Sequence, residues 1–149
     1  MGLDMYLSKK TYVKHWDHNG DDNFKITIKK RGGHMIKPKR ITYIEEEVAY
    51  WRKSNQIHHW FVNNVQNGND DCGDYFVSGD YLRELLNLCK EVEKDPSAAQ
   101  EILPTQGGFF FGDTSYDEYY MQDIKQTIKV LEEILEEDPD AHYVYSSSW

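Results

Sequence analysis

Trp51, Arg52, Asn55 and His58 sit close together, and their types suit the grip of a small polar molecule. An indole ring stacks on flat groups, and a guanidinium fork binds anions. An amide both donates and accepts hydrogen bonds, and an imidazole does so near neutral pH. Read as one long helix from Glu46 to Gln66, the segment places Tyr50, Trp51, Ile57, Phe61, Val62 and Val65 on a single broad face. Glu47, Ser54, Asn55 and His58 then project from the same face. A polar line inside an apolar stripe is costly to bury unless each group finds a partner. Such a line is either an internal hydrogen-bond network or the floor of a pocket. Asn55 and His58, three positions apart, point to nearly the same place. Arg52 and Lys53 flank the face. Lys53 reads as a solvated charge or a partner of Glu45 and Glu46, and Arg52 stays open between that role and an anion grip.

A second cluster follows the glycine-bounded run Gly107-Gly108-Phe109-Phe110-Phe111-Gly112, which reads as a buried strand or tight loop. Tyr116, Tyr119 and Tyr120 come just after it, at an expected helix start. Helix N-termini attract anions and aromatic rings stack on flat groups, so the three tyrosines form a candidate ligand wall. Core filling is the expected role of Phe110 and competes for Tyr120. The run is no phosphate loop, because no Gly-Lys-Ser/Thr follows it.

Other chemistry finds little footing. Asn67-Gly68-Asn69-Asp70-Asp71-Cys72 is rich in oxygen ligands, but it lacks the twelve-residue calcium-loop pattern with its final Glu. His58 and His59 diverge by about 100° on a helix and make a poor shared metal site. Cys72 and Cys89 offer no Cys-x-x-Cys spacing, and Cys89 in a leucine-rich stretch reads as a small core residue rather than half of a disulfide. Cys72 with His58 or His59 matches no nucleophile motif. No catalytic residue, metal ligand or cofactor is therefore assigned. The enzymatic reading that survives is a hydrolase or transferase using His58 with an aspartate of the 70–71 loop.

The elements that must position these groups are legible in outline. Gly2 to Val13 alternates as a strand, and Phe24, Ile26 and Ile28 alternate as a second, giving an N-terminal hairpin across the turn at His18–Asn23. A short strand is expected at Ile41–Ile44 and an extended piece at Tyr75–Val77. Ser78 is an N-cap for a helix over about 79–94. Pro96 and Pro104 bracket a short turn or helix. Thr114 and Ser115 start capping boxes ahead of a helix over about 116–137. His142 to Ser147 closes the chain as a strand. The fold class is α+β: a small antiparallel sheet from the terminal strands with about three helices packed on it, in one domain over 1–149.

The 149-residue chain carries a net charge of −9 at pH 7, which disfavours direct nucleic-acid or anionic-membrane binding. Charge is segregated: residues 1–40 hold ten Lys/Arg and four Asp/Glu, and the remainder holds seven and 22. The basic arm is expected to complement the acidic body within the fold, with a local anion site as the alternative. No signal peptide or apolar span is visible, so a cytoplasmic location is expected.

Taken together, Met1–Leu7, Tyr50-Trp51-Arg52-Lys53, His58 with Trp60-Phe61, Asp70-Asp71-Cys72, the Gly108–Gly112 run, Tyr116 with Tyr119-Tyr120, and the closing Ser147-Ser148-Trp149 make a specific pattern. In it the chain resembles a family of small proteins from phages, prophages and bacteria that begin Met-Gly-Leu-Asp-Met-Tyr-Leu. The resemblance implies a phage-like genetic setting, where small accessory proteins often bind host factors, defence proteins or nucleotide signals. It implies no catalytic residue set. The function expected is a non-catalytic binding protein holding a small polar, anionic or nucleotide-like ligand, or a host protein. Its ligand residues would be Trp51, Arg52, Asn55, His58, Tyr116, Tyr119 and Tyr120. The alternative is an acidic interaction protein that uses Glu132, Glu133, Glu136, Glu137 and Asp138 to occupy a partner's basic site.

Overall fold

Alternation in the first strand sets the architecture. Leu3, Met5 and Leu7 are fully buried, whereas Asp4, Tyr6 and Ser8 between them are half-buried. A computed structural model describes residues 2–18 and 25–149. It places this strand, β1 (Asp4–Tyr12), inside a four-stranded antiparallel sheet. Its neighbours are β2 (Tyr43–Arg52) and the C-terminal β4 (His142–Ser148), and β3 (Tyr75–Val77) lies beyond β4. The register runs Met5 against Trp51 on one side and Ser147 on the other, with an irregularity between Leu7 and Ser8 on the β2 side. The α+β class is as read from the sequence, but the sheet draws on central strands as well as terminal ones.

Two sequence expectations are corrected. The helix expected over 46–66 is two elements: β2 as far as Arg52, then α1 (Asn55–Asn64). Glu45, Glu46 and Glu47 favour helix intrinsically. Here they stand opposite Lys10, Lys9 and Ser8 on an edge strand, where all three are exposed to solvent. Glu47 is therefore exposed, not on a buried helix face. The strand expected at 24–29 is absent over 25–30, which form no regular element. Phe24 and most of the expected 18–23 turn lie outside the described residues, and the hairpin partner of β1 is β2. The basic arm of residues 1–40 meets the acidic body in part, through Lys9 with Asp138 at 3.3 Å. Residues 25–40 carry seven Lys/Arg and no Asp/Glu, and the ion pair that the described structure shows from them is Lys39 with Asp17 at 3.7 Å.

The helices follow their expected caps more closely. α2 (Gly79–Lys94) starts at Ser78, whose hydroxyl accepts from the Tyr81 N–H at 3.4 Å. The short α3 (Ala99–Ile102) follows a 3-10 turn at Pro96–Ala98. α4 (Glu118–Glu137) is capped by Asp117, which accepts from the Tyr120 N–H at 3.1 Å, rather than by Thr114 or Ser115. α1, α2 and α4 cover one face of the sheet. Leu82, Leu85, Cys89, Ile124 and Leu131 meet Met5, Trp51, Tyr143 and Tyr145 in one apolar core. Tyr50 and Phe76 face away and are substantially exposed. Both cysteines are free, and burial pushes the Cys89 thiol up to about 12. No described helix is long and apolar enough to cross a membrane.

Candidate functional site

The polar line of α1 resolves into two satisfied networks. Asn55 is buried, and its amide nitrogen donates to the carbonyls of Phe111 at 3.0 Å and Asp113 at 2.9 Å. Its oxygen accepts from the Gln106 N–H at 3.0 Å. One side chain thus ties both ends of the 106–113 loop to the helix start. His58 is fully buried between Asp70 and Tyr145, with Nε2 2.9 Å from Asp70 Oδ2 and Nδ1 2.6 Å from the Tyr145 hydroxyl. The carboxylate accepts only, so in the neutral ring Nε2 carries the proton and Nδ1 accepts from the phenol. Burial, aided by the nearby Asp70 and Cys72, pushes the Tyr145 phenol well above its ordinary value and keeps it a donor. The second oxygen of Asp70 accepts from Trp149 Nε1 at 3.0 Å. Phe111 meets the His58 ring edge-on at 5.3 Å, and Trp149 meets Phe111 at 5.9 Å. The expected contact of His58 with a 70–71 aspartate therefore exists, with the imidazole buried among aromatic rings and the Asp70 carboxylate partly exposed.

The cleft lies elsewhere, where the end of β2 meets the 112–117 loop and the start of α4. It encloses about 320 Å³ and is lined by Arg52, Lys53, Gln56, Gly112, Asp113, Ser115, Asp117, Tyr119, Tyr120, Gln122 and Asp123. That volume is at the small end of the range for small-molecule sites. Arg52, Tyr119 and Tyr120 among the sequence-derived residues reach it. Trp51 does not: it is buried, and its indole N–H donates to Thr127 Oγ1 at 2.9 Å. Asn55 and His58 lie in the networks above. Tyr116 stands beside Tyr120, with ring centroids 5.1 Å apart, and its hydroxyl accepts from the Thr105 N–H.

Sequence reasoning gave Lys53 a solvated role and passed over Gln56, Asp113 and Asp123, all of which line the cleft. Lys53 follows β2 with φ 55°, a left-handed conformation uncommon outside glycine. Its N–H donates to the Leu3 carbonyl at 2.8 Å, which fixes the turn. A side chain at Gly2 would come within 2.9 Å of Lys53 Cε, and one at Gly112 within 3.2 Å of Lys53 Cβ. The two glycines thus grip the lysine stem, and together they are the signal that could have been noticed. Arg52 is partly committed: Nη1 donates to Asp4 Oδ1 at 3.0 Å, and that oxygen also accepts from Tyr50. The Tyr50 phenol and the Asp4 charge hold the guanidinium above its ordinary value.

The carboxylates differ from one another. Asp113 accepts from the Ser115 hydroxyl and N–H, which hold it below the ordinary range. Asp117 is occupied as the helix cap. Asp123 is half-buried, and burial raises it, opposed by the side chains of Ser54 and Gln56. The Gln56 amide reaches it at 3.5 Å, and the buried Ser54 hydroxyl makes no hydrogen bond of ordinary length. Among the described residues no group of three or more His, Cys, Asp or Glu is placed to hold a metal ion. Comparison with protein-family models, with curated proteins and with solved structures finds no match to this chain.

Proposed function

We propose that this chain is a non-catalytic accessory binding protein of phage type that holds a small polar ligand bearing negative charge in the cleft at Lys53. The phage setting rests on the sequence resemblance, and the ligand reading rests on Lys53. A non-glycine residue in the left-handed region costs of order 1 kcal/mol or more and persists where its surroundings over-determine it. Here the surroundings are Leu3, Gly2 and Gly112, and they hold the stem at the rim of a concave site. Arg52 supplies a second positive charge, and Tyr119, 71% exposed, offers a flat ring beside it. The non-catalytic reading is supported by the burial of the His58 imidazole, which has no open face for a reacting atom.

The test is mass spectrometry of small molecules released on denaturing the purified native chain, run beside Lys53→Met. Methionine keeps the stem and removes the charge. A released anionic molecule that is lost from the variant supports the reading. Identical profiles from the two proteins, or no released molecule together with no melting response to any anion in a metabolite panel, would overturn it.

A further inference from the structure

Resting on that reading of the cleft, we infer that its ligand is a small zwitterion, with its anionic group at Lys53 and its ammonium group at Asp123. The argument starts from two charges that lack partners. Lys53 makes no ion pair among the described residues, although Arg52 beside it is paired with Asp4. Asp123, in the second turn of α4, meets no cation within ion-pair distance among the described residues; the groups that reach it are the neutral side chains of Ser54 and Gln56. Both line one cleft, and they do not pair with each other. An exposed carboxylate without a cation is ordinary. A half-buried one has lost part of its hydration and is favoured by any donor or positive charge that arrives.

A simple anion fits the cleft poorly. It would gain Lys53 but meet Asp123 across a space of about 320 Å³. A simple cation meets the mirror-image difficulty. A molecule with both charges satisfies both walls and leaves Asp113 and Asp117 to their local hydrogen bonds. Gln56 and Gln122 can then complete the polar contacts. The ligand chemistry is that of a free amino acid or of an amino-alkyl phosphate.

The probes are the free L-amino acids and phosphoethanolamine. Each has two truncated analogues: an N-acetylated form without the ammonium, and an amide or alcohol without the anion. Binding to the whole chain is read by melting shift and by titration calorimetry. At least one zwitterion should bind, with each of its truncated analogues weaker by at least tenfold. Lys53→Met and Asp123→Asn should each lose tenfold or more while melting no lower than the parent without ligand. Amino acids alone, or phosphoethanolamine alone, would tell the two sources apart. An N-acetylated acid that binds as well as its parent overturns the zwitterion and leaves an anion cleft standing. No response from any zwitterion overturns this inference as well. Responses that survive both variants unchanged place the ligand elsewhere and overturn the cleft reading with it.

Discussion

Single side chains in this protein divide into those the fold has satisfied and those it has not, and the difference is measurable. Tyr145→Phe removes the donor facing His58 Nδ1 and leaves a fully buried acceptor unpaired. The expected loss is about 1–3 kcal/mol in denaturant unfolding. Trp149→Phe removes a donor to Asp70 at a position 45% exposed, where water can replace it. Its loss should stay within about 1 kcal/mol. If the two variants unfold alike, the chain from Asp70 to Tyr145 is not the buried tie described here. Asp123 behaves in the opposite sense. The folded chain holds its carboxyl above the ordinary 3.8, so folding favours the protonated form. That contribution is fully present below 3.8 and is lost as pH rises through the folded value. At neutral pH the ionised group therefore costs stability. Asp123→Asn should melt higher than the parent at pH 7, and the gap should close as pH falls below 4. A variant that melts lower at pH 7 would show that Asp123 is a structural partner rather than a residue kept at a cost for binding.

Elements were legible where one periodicity held from cap to cap. Ser78 and the leucines after it gave α2 its bounds, and the alternation of β1 and β4 gave the inner sheet. The reading failed where two elements shared one apparent stripe. Trp51 belongs to β2 and Ile57 to α1, yet both face the same core, so their spacing mimicked a single helix. The break between them is the left-handed Lys53, which no local propensity announces because its cause is distant, in Leu3, Gly2 and Gly112. For the same reason Arg52, Tyr119 and Tyr120 were singled out in the sequence, whereas Lys53, which lines the same cleft, was read as a solvated charge. Asn55 and His58 were correctly placed inside, but their partners come from the 106–113 loop, Asp70 and β4, beyond any helical period. The arm at 25–40 carries its own prediction. Seven exposed Lys/Arg stand on backbone with no regular structure apart from the 3-10 turn at Pro38–Arg40. Limited trypsin digestion should cut there before cutting elsewhere among the described residues. β1 is paired on both sides by β2 and β4, so the nicked chain should elute as one species in native buffer and separate only on denaturation. First cleavage within α2 or α4, or dissociation of the N-terminal fragment in native buffer, would contradict this topology.

Across the whole molecule, charge is segregated along the chain. The arm is purely cationic over 25–40, while Glu133, Glu136 and Glu137 are exposed near the end of α4. Part of the acidic run is tied down within the fold, Glu132 by Lys90 at 2.8 Å and Asp138 by Lys9 at 3.3 Å. The remaining acidic surface and the arm are matched in sign for contact between copies. At pH 7 the net −9 keeps copies apart. That repulsion vanishes near the isoelectric point of about 5.1, while the local attraction between arm and acidic helix persists. Light scattering at low ionic strength should therefore show association that peaks near pH 5. Added salt should dissolve it, because exposed charges are screened within about 10 Å at 0.1 M. Replacing Lys29, Lys30 and Arg31 by glutamine should suppress the peak without lowering the melting temperature, since none of the three supports the core. Association that is strongest at pH 7, or that grows with salt, would point instead to apolar contact through the open sheet face around Tyr50 and Phe76, and the electrostatic account would fail.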